Sequence, residues 1–313
     1  MLLPRALPAK GLIGICSPAG PVKQDKLERA VRRIERTGYR VKLAPNVFGK
    51  HGYLSASDEG RLSDLHQLFL DPEVDAVFCS RGGYGTSRLL EKADATLIAD
   101  SRKPFLGFSD TTALQWMIYA KTGFVTYTGP LAVEWDDLVS EAACEHAWSV
   151  LAQAETGNLF AAFPSESPQR FELLKGRGVL HGVLMPGNLA MITTLCGTPY
   201  LPDMQDKILF IEDISESPYR FDRMLFQLRN AGILKKLRGL IVGDFGWDGK
   251  EGEYEMQRQC LLDVTRGYSY PIMINLPYGH GRDRLTLPVG GSVAAGFDDT
   301  PSLRLLRRDG DAA

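Results

Sequence analysis

What this chain of 313 residues lacks narrows its chemistry first. No apolar run approaches the roughly 20 residues needed to span a bilayer, so no membrane partner is expected. The opening "MLLPRALPAKGLIGICSPAG" does not read as a secretory signal, because Pro4, Pro8 and Lys10 break its apolar pieces and it runs directly into a first strand. Cysteines are few, odd in number and widely spaced: Cys16, Cys79, Cys144, Cys196 and Cys260, with no CxxC. Cys16, Cys79 and Cys196 sit in apolar runs and read as small core residues, which fits a reducing cytoplasm. The five histidines (His51, His66, His146, His181, His280) form no HxxxH or HExxH pair, so neither a zinc site nor another cofactor is expected. A net charge of -2 lacks the concentrated basic footprint that nucleic acid requires.

What is present is a rhythm. Residues 11 to 130 alternate strand and helix. "GLIGICS" precedes "QDKLERAVRRIERTG", where Leu27, Ala30, Val31 and Ile34 share one helical face. "YRVKLAP" alternates as a strand, and "SASDEGRLSDLHQLFLD" opens with Ser/Asp capping residues before Leu62, Leu65 and Phe69 at helical spacing. "VDAVFCS" reads as a buried strand, "GTSRLLEKA" as a short helix and "KPFLGF" as another strand. The pattern predicts a parallel sheet covered on both faces, with ligands beyond the carboxyl ends of its strands. The rhythm breaks after about 130. The spacing assigns an α/β unit to 1–150, a polar, turn-rich linker to 151–176 and a second domain to 177–313, which mixes "NLAMITTLCG" (helix), "KILFIED" (strand), "SPYRFDRMLFQLRNAG" (helix) and "LRGLIVGDF" (strand). The tail "RRDGDAA" reads as frayed.

Three stretches carry candidate chemistry. In "FLGFSDTT", Ser109 sits between strand and helix like the nucleophile of a G-x-S-x-G elbow, but Thr111 stands where the second glycine would be. Ser109 or Asp110 serves equally well there as a helix cap. In "CSRGGYGTS", glycines directly after a strand suit a cradle for a phosphate or an oxyanion, or an ordinary turn. It lacks the GK[ST] ending of a P-loop, and the first strand lacks G-x-G-x-x-G. Finally, Glu212 ends the apolar run "ILFIED", and His280 lies between two glycines in "PYGHGRDR". Each is open to a bland role: a helix N-terminal acid and a hydrogen-bonded loop residue. Serine, acid and histidine nevertheless all fall at or just beyond strand ends, and a triad does not need sequence proximity.

The blocks "YLSASDEGRLSDLHQLFLDPEVDAVFCSRGGYGTSRLL", "FLGFSDTTAL", "GNLAMITTLCGTPY", "ILFIEDISESPYRFDRML" and "GHGRDRLTLPVG" strongly resemble the LD-carboxypeptidases, cytoplasmic serine peptidases of peptidoglycan recycling, over roughly residues 11–130 and 178–290. The resemblance implies a Rossmann-like (glutamine-amidotransferase-like) parallel-sheet N-terminal domain, a smaller β-rich C-terminal domain and a homodimer. It implies a triad of Ser109 as nucleophile, His280 as base and Glu212 as acid, acting without metal on a small muropeptide. The N–H of Asp110 and one N–H from Gly82–Gly83 are the candidate oxyanion donors. Arg81, beside the glycine loop, is a candidate for the substrate's terminal carboxylate, or a structural salt-bridge residue. Two departures from the family pattern, Pro186 in "MPGN" and the basic "GRDR" after His280, are expected to act on substrate fit.

Two other functions compete. Within the family, the microcin C immunity peptidases hydrolyse a peptidyl nucleotide and carry an added aromatic loop, and no tryptophan-rich insertion stands here. From another class comes a non-catalytic sugar- or nucleotide-binding α/β module in which Ser109 is only a cap.

Overall fold

The computed structural model describes residues 1–155, 157–163, 171–246 and 252–306. The sequence stretch "RRDGDAA" at 307–313 lies outside these.

Strand β1 (Leu12–Cys16) is buried along its whole length, so it must be covered on both faces. Its side chains alternate accordingly. Ile13 and Ile15 pack with Leu27, Ala30 and Ile34 of α1 (Gln24–Arg36), while Leu12 and Cys16 join a second core with Leu62, Leu65 and Leu68 of α2 (Asp58–Leu70). Ser57 caps α2, its side chain accepting the N–H of Gly60 at 3.1 Å. Between these helices runs β2 (Arg40–Leu43), and after them β3 (Ala76–Cys79), α3 (Ala95–Ser101), β4 (Phe105–Gly107), α4 (Thr112–Thr122) and β5 (Thr126–Thr128). The parallel order is β2-β1-β3-β4-β5. Strand order therefore reverses between β1 and β3, and the crevice outside their carboxyl ends is where such sheets bind ligands. The helix expected over "GTSRLLEKA" is only a 3-10 turn, Thr86–Arg88.

Helix α5 (Glu141–Leu151) closes the first unit. The stretch 151–176 contains a 3-10 turn, Leu159–Ala162, and strand β6 (Glu172–Lys175). The chain then builds a second sheet from β7 (Gly178–Asn188), β8 (Lys207–Glu212), β9 (Gly239–Val242) and β10 (Ile272–Ile274), all parallel, with α6 (Leu189–Thr194), α7 (Pro218–Asn230) and α8 (Glu253–Val264) between them. Strand β11 (Leu287–Val289) crosses back to pair antiparallel with β5 of the first sheet. Strands β12 (Ser292–Phe297) and β13 (Ser302–Leu305) return to the second, whose order is β13-β12-β7-β8-β9-β10-β6. One continuous hydrophobic core runs from α2 and α4 through Leu184 and Met185 to α7 and α8. Among the described residues, no helix is long and apolar enough to cross a membrane.

Candidate active site

Ser109 follows β4 with φ +61°, a left-handed conformation that an L-residue with a Cβ adopts only at a cost. It opens a 3-10 turn, Ser109–Thr111, that runs straight into α4, and it is half-buried. Neither Ser109 nor Asp110 caps the helix through its side chain. The missing second glycine of the elbow motif has a steric explanation. The Thr111 hydroxyl donates to the Phe108 carbonyl at 3.0 Å, and a Cβ on Gly107 would lie 2.3 Å from Thr111 Oγ1. Here the bare position is Gly107, and Thr111 fills the space above it.

The glycine loop after β3 lies directly against this turn. A Cβ on Gly82 would meet Ser109 Cβ at 3.0 Å and Oγ at 3.1 Å. Gly83 and Gly85 are left-handed, with φ +111° and +137°. Arg81 is exposed beside them, one guanidinium nitrogen donating to the Pro21 carbonyl at 3.1 Å. Among the described residues it makes no salt bridge, so its structural alternative is a carbonyl contact and not an ion pair. Tyr53 and Tyr84, both exposed, stand at this mouth with ring centroids 5.6 Å apart.

From the second sheet, Glu212 at the end of β8 is fully buried, and its Oε2 lies 2.8 Å from His280 Nδ1. The other oxygen, Oε1, accepts from Asn188 Nδ2 at 3.2 Å. Asn188 is placed by its own strand: it ends β7, caps α6 by accepting the Met191 N–H at 3.2 Å, and donates its backbone N–H to Thr112 Oγ1 at 3.1 Å, one turn beyond Ser109. The same amide group reaches Asp213 Oδ1 at 2.9 Å. Burial, and then the charge of Glu212, pushes the Asp213 carboxyl up to about 6. Its oxygens also take the N–H groups of Ala190 (2.8 Å) and Ile214 (2.9 Å).

His280 sits on an irregular loop, and close packing replaces secondary structure there. A Cβ on Gly243 would lie 1.9 Å from the Tyr278 carbonyl, which instead accepts the Asp244 N–H at 2.8 Å. The Tyr278 hydroxyl meets Thr128 Oγ1 at 3.1 Å. The His280 ring lies 4.7 Å from the ring of Phe108, the residue before Ser109. On that same ring, 4.0 Å away, rests the guanidinium carbon of Arg284, which donates to the Gly279 carbonyl and to Glu134. The Ser109 turn and the histidine loop thus share one aromatic side chain.

Both family departures act on this frame. Arg284 is buried, so only Arg282 and Asp283 of the basic loop face solvent. Pro186 is buried in β7, beyond the last residue paired with β12, and its carbonyl accepts Trp116 Nε1 at 2.9 Å. Its nitrogen faces the same side, away from β8, so the missing N–H breaks no ladder bond. Gly187 permits the approach of α4, since its Cβ would lie 2.5 Å from Thr112 Cγ2. Sequence reasoning missed Phe108, Asn188, Asp213, Tyr278 and Arg284 as parts of the site; only Asn188, a capping residue at a strand–helix junction, left a local signal.

Comparison with known proteins places the chain in a family. Residues 13–129 match the LD-carboxypeptidase N-terminal domain and residues 181–294 the LD-carboxypeptidase C-terminal domain. The chain is 35% identical over 300 residues to the "Probable murein peptide carboxypeptidase" of Bacillus subtilis, covering 93% of this chain and 90% of that protein. It superposes on the muramoyltetrapeptide carboxypeptidase of Oxalobacter formigenes with a TM-score of 0.81 and 32% identity, over 94% of this chain and 99% of the other. An MccF-like protein of Bacillus anthracis gives a TM-score of 0.87 at 27% identity, over 98% and 100%. The chain is a peptidase and belongs to the LD-carboxypeptidase family.

Proposed function

We propose that this carboxypeptidase is a cytoplasmic, homodimeric enzyme of peptidoglycan recycling that removes the terminal D-alanine from L,D-linked muropeptide tetrapeptides, with Ser109, His280 and Glu212 as its triad. The observation that carries the reading is the contact of a fully buried carboxylate, Glu212, with Nδ1 of a histidine packed beside the nucleophile turn. Glu212 holds Nδ1 as the donor, which leaves Nε2 as the base. Nε2 takes the Ser109 proton as Oγ attacks the scissile carbonyl. The oxygen that becomes negative is received by N–H groups of Asp110 and of Gly82 or Gly83. Asp110 stands at the open N-terminal end of its turn, where backbone donors lack intrahelical partners. Preorganised donors of this kind contribute about 10²–10³ each in rate. The imidazolium then protonates the departing D-alanine amine, and water, deprotonated by His280, releases the acyl group. Arg81, exposed beside the glycine loop, receives the terminal carboxylate.

Bond choice tests the assignment. Purified protein given equal amounts of a tetrapeptide ending diamino acid–D-Ala and of the D-Ala–D-Ala pentapeptide is expected to release D-alanine from the first only. Inverting the centre next to the carbonyl misplaces its oxygen or its side chain, and an error of ~1 Å costs about 10²-fold. Equal or faster release from the pentapeptide would sink the substrate assignment. Faster turnover of a peptidyl nucleotide than of the tetrapeptide would favour the immunity-peptidase reading.

A further inference from the structure

We propose that the side chain of Asp110 is the positioning residue of the oxyanion site, fastening the glycine loop to the nucleophile turn so that donors from both elements share one buried anchor. This rests on Ser109 being the nucleophile. Asp110 is 1% exposed, and its carboxylate turns away from its own helix. Oδ1 accepts the Gly85 N–H at 3.2 Å and Oδ2 the Thr86 N–H at 2.9 Å, while the Thr86 hydroxyl donates back to the Asp110 carbonyl at 2.5 Å. One residue therefore supplies a backbone N–H beside Ser109 and also grips, by three hydrogen bonds, the loop that supplies the opposing N–H.

The loop needs such a grip. Gly83 and Gly85 have the conformational freedom of glycine and no side chains to pack. A second clamp holds the loop from the far side. Arg61, fully buried, donates to the carbonyls of Gly85 (2.9 Å) and Pro18 and pairs with Asp58 at 2.6 Å. The Gly82 carbonyl accepts the Gly20 N–H at 3.2 Å. Since the peptide is planar and trans, the Gly83 N–H points the opposite way, free of the β1 loop. Burial raises the Asp110 carboxyl, and the hydrogen bonds from Thr86 and Gly85, followed by the charge of Arg61, oppose that shift. Holding an anion so deeply buried is costly, and what it gains here is the orientation of two loop amides.

Asp110→Asn keeps one acceptor oxygen but sets an NH₂ against a loop N–H. It is expected to lower kcat by about 10²-fold while KM stays within about threefold, because the donors act on the transition state and not on the ground state. A peptide boronic acid, whose tetrahedral adduct on Ser109 places an oxygen in the same site, should lose affinity in parallel with kcat. Thr86→Val should lower kcat by about fivefold through the lost hydroxyl bond, with Thr86→Ser recovering most of it. An Asp110→Asn protein with wild-type kcat and boronate affinity overturns the proposal even if it melts earlier, since a merely structural residue moves only the melting point. Should that variant not fold, a Thr86→Val enzyme with wild-type kcat overturns it instead. A wild-type protein that neither cleaves the tetrapeptide nor forms the boronate adduct removes the triad reading, and this proposal with it.

Discussion

The two halves of the site are held by different means. Ser109 owes its placement to its neighbours in sequence: a left-handed φ, a bare Gly107 beneath Thr111, and a 3-10 turn feeding a helix. Glu212 and His280 are not left-handed. They are held by burial and by contacts joining residues 24 to 150 apart in sequence, among them Asn188–Glu212, the Tyr278–Thr128 contact and the Arg284–Glu134 pair, with one local bond from Arg284 to the Gly279 carbonyl. A nucleophile must be presented to solvent and substrate, and local strain does that without covering it. An acid–base pair must keep one tautomer and one distance, and a dry, packed surrounding does that better than a turn.

Removing the reacting group from each half gives the largest effects. Ser109→Ala should reduce kcat/KM by about 10⁴-fold or more while leaving the melting temperature within a few degrees, since its hydroxyl makes no cap. Retained turnover would take Ser109 out of the mechanism. Glu212→Gln should cost about 10³–10⁴-fold, because the amide no longer fixes Nδ1 as donor. The two variants differ in what remains: loss of the serine leaves nothing to attack the carbonyl, whereas loss of the acid leaves the serine and its oxyanion donors in place, so Glu212→Gln should keep a measurable residual rate above that of Ser109→Ala. Wild-type kcat/KM in Glu212→Gln would mean that the carboxylate does not govern the histidine.

The same contrast explains what was legible in the amino-acid order. Periodicity exposed α1, α2 and the buried strands because each element's burial is written in its own residues, as with Leu27, Ala30 and Ile34. The elbow and the glycine loop were legible for the same reason. The helix over "GTSRLLEKA" failed because the Gly85 and Thr86 carbonyls accept from Arg88 and Leu89, only three residues on, and helical spacing of apolar residues does not distinguish such a 3-10 turn from an α-helix. Arg284 read only as part of a basic loop acting on substrate fit, because nothing near it in sequence shows that Glu134, Phe108 and the Gly279 carbonyl will surround it. Pro186 read as a change in substrate fit because its true neighbour, Trp116, lies 70 residues away.

The seam between the halves offers a pH test of intermediate size. His146 on α5 is buried, and its Nδ1 accepts the Thr286 N–H at 3.1 Å just before β11 crosses into the first sheet. Burial pushes its pKa down to about 4 from 6.5. Above pH 6.5 it is neutral in both folded and unfolded chains and has no effect on the pH dependence. Between 6.5 and 4 the unfolded chain takes up the proton and the folded one does not, so stability falls by about 3 kcal/mol across that window. Asp110 and Asp213, whose carboxyls are raised, act in the opposite direction, gaining stability as pH falls. His146→Asn keeps an acceptor for Thr286 but does not titrate, so the difference between its urea midpoints and those of the wild type at pH 7.5 and 4.5 isolates the histidine. Parallel losses in the two proteins would show that the seam is not acid-sensitive.

The smallest effect addresses the strain itself. At φ +61° a serine sits about 1 kcal/mol above a glycine in the same backbone conformation. Ser109→Gly relieves that strain but makes the unfolded chain more flexible, which takes back about 0.5 kcal/mol. Ser109→Ala keeps the Cβ and therefore keeps the strain. Neither variant carries the hydroxyl, so the two differ only in what the elbow costs the fold. The glycine variant should accordingly unfold at a higher urea concentration than the alanine variant, by roughly 0.5 kcal/mol or more. An alanine variant as stable as the glycine one would mean that the turn is relaxed in solution, and that packing holds the nucleophile half just as it holds the acid–base half.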